Sequence, residues 1–437
     1  MRSLLLLLVF LTSFAFSQYQ YLSNNEVKSN LKHSKNNLPA YGSTTKKKIN
    51  LPAYGSTKKK NENHSPLEDE NFDDDDDEDT PVDPKHEATG YHEKFRKYSD
   101  PPFTHNHCKE TTIRREWRQL TEKERQRYLE ANLCLLNSPS ERKGGKGSLY
   151  DDFVWHHWDI ATSIHFTPLF LPFHRAFIIA YENALRTCGD NNEFDDVRTY
   201  WDIALDSFAP SRAIVFQEKY FGGNGNKNDD YCLQSGTFGG RIAEHPKKHC
   251  LRRNFDLNQI YTKGNAEATI GAMFTDELLE MSKKNGEIRQ FDYFRNLLES
   301  TIHEALHFGI GGNKGDMSKA DTAPNDPIFW LHHGNIDRVW SEFQKAFPKL
   351  AHTYNGKNED KKDVNENDEI DLGPLKKYLP YGWDKKILRV KDVFDIKEWC
   401  YDFSKSVRWG EDGEIKDNIG ESRIYRGFLV ASQGPFH

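Results

Sequence analysis

Thr301 to Gly312 reads TIHEALHFGIGG. His303, Glu304 and His307 stand in the order H-E-x-x-H, which on a helix places two imidazoles one turn apart with a carboxylate between them. Zinc proteases use that arrangement, with the Glu activating a metal-bound water. Three fixed residues are a weak signal, so the rest of the chain has to decide. Ile310 already stands where the longer zinc pattern wants a glycine.

Working outward, DYFRNLLESTIHEALHFGIGG predicts a helix from about Phe291 to Phe308, stopped by Gly309 and the Gly311-Gly312 pair. NDPIFWLHHGNIDRVWSEFQKAFP predicts another, with Asn325 as cap, Pro327 inside its start and Pro348 as its stop. HFTPLFLPFHRAFIIAYENALRTCG predicts a third, from near Pro172 to near Cys188, with His174 in its first turn. In TTIRREWRQLTEKERQRYLEANLCLL the apolar residues recur mostly three or four apart, and Thr121 with Glu124 forms a capping box. Two helices breaking near Thr121 are expected there. Alternating strand pattern is scarce, so the fold class is mainly α.

The ends of the chain differ from this texture. Residues 1–17 hold one Arg and an apolar run from Leu4 to about Phe16, too short for a comfortable bilayer span, and predict a secretory signal peptide. Residues 18–102 predict a disordered acidic and Lys-rich tail, a candidate pro-region. It contains the tandem NLPAYGSTTKKKI and NLPAYGSTKKKN and the acidic run EDENFDDDDDEDTPVD, all poor in apolar residues. The formal charge of −7 over 437 residues is mild, and no basic, aromatic-laced face suggests nucleic acid. Six cysteines without a C-x-x-C pair, in a chain bound for an oxidising compartment, predict disulfides, with Cys232 to Cys250 the favoured pair across a Gly-rich stretch.

Eight of the eighteen histidines fall on the helical segments: His156, His157, His165, His174, His303, His307, His332 and His333. One histidine on an apolar face is more often a packed core residue than a ligand, by roughly three to one. Two groups of three among Phe, Trp and Leu are costlier to explain that way, because each neutral ring would need its own partner.

Tyr150 to Glu182, YDDFVWHHWDIATSIHFTPLFLPFHRAFIIAYE, and Leu297 to Gly312 with Thr322 to Trp340, LLESTIHEALHFGIGG and TAPNDPIFWLHHGNIDRVW, resemble the two copper motifs of tyrosinases and catechol oxidases. The likeness rests on H-x(4)-F-L-P-F-H-R followed by Glu182, and on D-P-x-F-W-x-x-H-x-x-x-D. RTYWDIALDSFAP, YFGGNGNKND, HCLRRNF and EWCYDF also look like that family, so the resemblance runs from about Cys108 to Trp340, with a closing segment around Cys400.

The resemblance implies a helical bundle holding a dinuclear copper centre, with loop-rich insertions in a domain over 103–348 and a small C-terminal extension over 349–437. It implies one copper on His157, His165 and His174 and a second on His303, His307 and His333. His156 and His332 are set aside, since adjacent helical residues diverge by about 100°. Imidazole sets suit copper. The activity implied is oxidation of o-diphenols to o-quinones with dioxygen and, in hydroxylating members, of monophenols too. The partners would be dioxygen and phenolic or catecholic molecules or tyrosyl residues, with no nucleic acid and no membrane.

Further positions follow from the resemblance. Glu299, four residues before His303, falls at the family's water-holding glutamate; the alternative is a helix-surface Glu. Glu304 stands where many hydroxylating members carry Asn, which leaves monophenol hydroxylation open. Ala320, thirteen before His333, falls at the substrate gate, and its small side chain implies an open site. Ser163, two before His165, stands where some members have a Cys joined to that histidine, so no thioether is available. Arg175 and Asp337 are expected to be a structural charge pair beside the site. Other readings are a copper oxygen-binding protein, a matrix protein with a residual site and, remotely, the zinc protease.

Overall fold

The computed structural model describes residues 111–188, 198–206, 210–256, 290–380 and 382–404, and the backbone of two-residue strands at 103–104, 107–108, 283–284, 287–288, 408–409 and 415–416. The expected signal peptide and the expected tail over 18–102 lie outside the described residues.

The chain enters on strand β1, Thr112–Glu116, where a helix was expected. The cause lies in what is buried. Ile113 is exposed while Arg114 and Glu116 are fully buried, an alternation of period two that the spacing of Ile113, Trp117 and Leu120 hid. A single 3-10 turn, Trp117–Gln119, leads to α1, Glu122–Asn137, whose Thr121 and Glu124 form the expected capping box. Helix α2, Leu149–Asp159, is capped by Ser148 and Asp151 in the same manner.

Helix α3, Phe170–Arg186, starts two residues before Pro172 and is buried along nearly its whole length. Strand β2, Thr199–Tyr200, pairs in parallel with β1. Helix α4, Gln290–Leu298, passes through a π turn, Glu299–His303, into α5, Glu304–Gly311. That run continues past Gly309 and ends at Gly312, whose positive φ of 52° suits glycine. Helix α6, Ile328–Ala346, is capped by Asp326, whose Oδ1 accepts from the Ile328 N–H at 3.2 Å. Asn325, the expected cap, instead donates its side-chain amide to the His245 carbonyl and to Asp316. Strand β3, Tyr401–Phe403, completes a three-stranded parallel sheet in the order β2-β1-β3.

The core lies between α2, α3, α5 and α6, and aromatic rings fill it. Tyr181 stacks on Trp330 with ring centres 3.5 Å apart, and Phe294 on Phe343 at 3.9 Å. The segment after Pro348 joins the same core through Leu372, Leu375, Val390, Val393 and Trp399. Arg175 ties it down by donating to the Val393 and Phe394 carbonyls. Disulfides join Cys134 to Cys188 and, as expected, Cys232 to Cys250; Cys400 is also disulfide-bonded. No helix among the described residues is long and apolar enough to cross a membrane.

Candidate metal centre

Two groups of buried histidines face each other inside the helical core. His157, on the last turn of α2, His165, in the link to α3, and His174, on α3, bring one nitrogen each within 4.8 Å of the others. His303, His307, His332 and His333, from the π turn, α5 and α6, do the same. The stacked rings of His174 and His333, 4.3 Å apart, join the groups.

Main-chain carbonyls orient most of these rings. His165 Nδ1 donates to the Ala161 carbonyl at 2.8 Å, His174 Nδ1 to Phe170 at 2.7 Å, His303 Nδ1 to Glu299 at 3.2 Å and His307 Nδ1 to Met317 at 2.8 Å. A carbonyl only accepts, so each Nδ1 carries the hydrogen and each Nε2 keeps a lone pair. Those lone pairs converge: His174 Nε2 lies 3.3 Å from His157 Nε2, and His307 Nε2 lies 3.4 Å from His333 Nε2. His303 Nε2 and the Nδ1 atoms of His157 and His333 are buried without a hydrogen-bond partner. Imidazole lone pairs converging in an apolar interior are what a soft-to-borderline metal ion resolves.

Burial, reinforced by the neighbouring rings, pushes His157, His174, His303 and His333 well below the ordinary imidazole value. Burial likewise takes His165 down to about 4 and His307 to about 3. All are neutral at pH 7, the form a metal needs. Phe170 packs on His303 with ring centres 4.7 Å apart, and Phe329 on His333 at 4.1 Å, which keeps the surroundings apolar.

The π turn explains part of the placement. Ser300 and Thr301 donate their hydroxyls to the Asn296 and Leu297 carbonyls, a back-bonding that loosens a helix. The Glu304 N–H then reaches the Glu299 carbonyl, which also receives His303 Nδ1–H.

His156 stands apart, as expected. Its Nε2 contacts the Asp371 carbonyl at 3.1 Å, away from the metal group. His332 does not stand apart. Its nitrogen joins the second group and its ring stacks on His303 at 5.3 Å. The 100° divergence along a helix separates Cα–Cβ directions, and an imidazole is long enough to swing its nitrogen back. Neither ring nitrogen of His332 makes a well-aligned hydrogen bond, the His303 main chain being the one neighbour that favours a proton there.

Glu299 is 1% exposed, which removes the surface reading. Its Oε1 accepts from the Phe166 N–H at 2.6 Å, and its Oε2 pairs with Arg295 at 2.8 Å. Burial pushes its carboxyl up to about 7 against the opposing pull of Arg295. Arg295, four residues earlier on the helix, was legible as an i, i+4 partner and was missed. Glu304 is half-buried and its charge acts on Glu299. Ala320 is exposed, in the loop whose Met317 carbonyl holds His307. Ser163 donates to Glu359 at 2.9 Å. Arg175 and Asp337 pair at 2.5 Å, inside a larger network with Arg114, Glu182 and Tyr401.

The chain is similar to proteins of one family. The common central domain of tyrosinase matches residues 147–346. A tyrosinase-like protein of Diaporthe leptostromiformis, phomQ1, is 30% identical over 327 residues, covering 70% of this chain and 80% of that protein. The tyrosinase of Streptomyces glaucescens is 28% identical over 257 residues, covering 54% of this chain and 84% of that enzyme. Among solved structures, a polyphenol oxidase variant from Thermothelomyces thermophila is similar with a TM-score of 0.53 and 23% identity, covering 68% of this chain and 89% of that one, a likeness of fold.

Proposed function

Since the chain belongs to the tyrosinase family of type-3 copper proteins, whose cofactor is a pair of copper ions, we propose that it is a secreted phenol oxidase converting o-diphenols to o-quinones with dioxygen. The observation that carries this reading is the pair of facing imidazole groups with carbonyl-fixed tautomers and lone pairs turned inward. In it, His157, His165 and His174 hold one copper and His303, His307 and His333 the other, with His332 packed against His303 beside them. The disulfides and the expected signal peptide support secretion.

When bound, the coppers supply the electron transfer between phenol and dioxygen. The protein supplies the rest. Phe170, Phe177 and Phe329 exclude water around the rings, and the carbonyl contacts hold His165, His174, His303 and His307 ready without reorganisation. Proton handling falls to the carboxylates of the π turn and α5: Glu299 fixes the segment after His165, and Glu304 tunes which phenols are accepted. The exposed Ala320 leaves the gate open to bulky phenols.

Oxygen uptake by the copper-loaded protein, with a diphenol and with its monophenol, tests the proposal. Uptake with the diphenol is expected. Copper-loaded protein that consumes oxygen with neither would point to an oxygen carrier or a matrix protein and overturn it.

A further inference from the structure

Phe166 is the residue after His165, and it carries two marks. Its φ is 56°, in the left-handed region that residues other than glycine rarely adopt. The residue is also 41% exposed, unusual for Phe in a core this rich in packed aromatics. The strained backbone is held from several sides. The N–H is clasped by Glu299 Oε1 at 2.6 Å, Glu299 is fixed by Arg295, and Arg295 also pairs with Asp292. Next to it, the Thr167 hydroxyl donates to the Ser163 carbonyl at 2.6 Å.

The exposures of the metal-site rings show which side faces solvent. His157 and His333 are 0% exposed and His174 is 2%, whereas His165 and His303 are 6% and His307 is 7%. His165, His303 and His307 are therefore the three that lie nearest the surface. Phe166 is bonded to the first of these, and its clasp is Glu299, whose carbonyl holds the second.

Resting on the dicopper reading above, we propose that the Glu299–Phe166 clasp is a positioning device: it turns His165 inward to its copper and sets the Phe166 ring at the mouth as an aromatic platform for the phenol. His165 is 6% exposed and Phe166 41%, so of two consecutive residues one is held in the core and the other reaches the surface. One goes to the metal and the other to solvent. A ring fixed there offers edge or offset-face contact to an incoming phenol, an apolar, aromatic ligand whose hydroxyl end must reach the copper. Phe166 is thus a specificity determinant, and Glu299 positions through it.

The backbone conformation separates the two roles. Glycine accepts φ 56° without strain, while a β-branched residue does not. Phe166→Gly should keep both coppers and a melting temperature equal to or above that of the parent. Its KM for an aryl-substituted catechol should rise roughly two- to tenfold, the size of one aromatic contact, with kcat little changed. Phe166→Val should lose copper from one site, read by metal analysis, and Phe166→Asn, which tolerates the left-handed region, should restore it. An unchanged KM in Phe166→Gly would remove the platform, and full copper in Phe166→Val at the parent melting temperature would remove the clasp. Failure of the dicopper reading itself would show differently, as absence of copper from the parent protein.

Discussion

At the scale of single residues, the centre is built from hydrogen bonds that admit one direction. The carbonyls of Ala161, Phe170, Glu299 and Met317 decide the tautomers of His165, His174, His303 and His307 before any metal arrives. Glu304 has a looser position, half-buried beside a Glu299 that already serves Phe166 and Arg295. Glu304→Gln is therefore expected to bind copper normally and retain substantial diphenol oxidation while the ratio of monophenol to diphenol rates changes. A loss of diphenol oxidation beyond about a hundredfold would make Glu304 the essential base instead. The histidines were legible because imidazoles crowd into apolar helical segments, and the resemblance sorted them. The carbonyls that orient them were not, since any residue supplies a carbonyl. His332 was set aside on a rule about helix geometry that ignores the length of the side chain.

At the scale of elements, the links between helices do as much as the helices. The loop that carries Met317 to His307 is pinned by Asp316, which accepts from His249 Nε2 at 2.8 Å and from the Arg252 N–H at 2.9 Å, and by Asn325. The hydrogen bond to Asp316 raises the His249 imidazole above its ordinary value. A raised folded-state value means the stabilisation is complete below the unfolded value, about 6.5, and is lost as pH rises through the folded one. The melting-temperature gap between the protein and His249→Gln should be largest near pH 6 and shrink by pH 8.5; a gap that is constant or grows would refute the linkage. Helices α1, α3 and α6 were readable from caps and periodicity. Strand β1 was not, because a buried Arg114 looks polar and an exposed Ile113 looks like core. The π turn was hidden too, since its Ser300 and Thr301 back-bonds are a matter of geometry that the sequence spacing does not display.

For the molecule as a whole, one charge network ties both ends of the described chain to the site. Arg114 on β1 pairs with Glu182 on α3 and Asp337 on α6; Asp337 also takes Arg175 and the Tyr401 hydroxyl of β3. Arg114 and Arg175 draw the Asp337 carboxyl below the ordinary range despite burial. Asp337→Asn would leave two buried guanidiniums short of charge, and should cost about 3–5 kcal/mol, seen as a lowered midpoint in denaturant. A change below about 1 kcal/mol would show that the network is dispensable. The pairing of Arg175 with Asp337 was legible through the resemblance. The share taken by Arg114, Glu182 and Tyr401 was not, because it joins residues up to 223 positions apart. The packing of residues after Pro348 into the same core is hidden for the same reason of distance.

The most direct test of the dicopper assignment is the metal content of the purified, copper-loaded chain beside its His174→Ala and His333→Ala variants. Two coppers per chain are expected in the parent, with one site lost or emptied in each variant, because removing one imidazole of three sharply weakens a site. Stoichiometric zinc without copper, or copper content indifferent to both substitutions, would contradict the account.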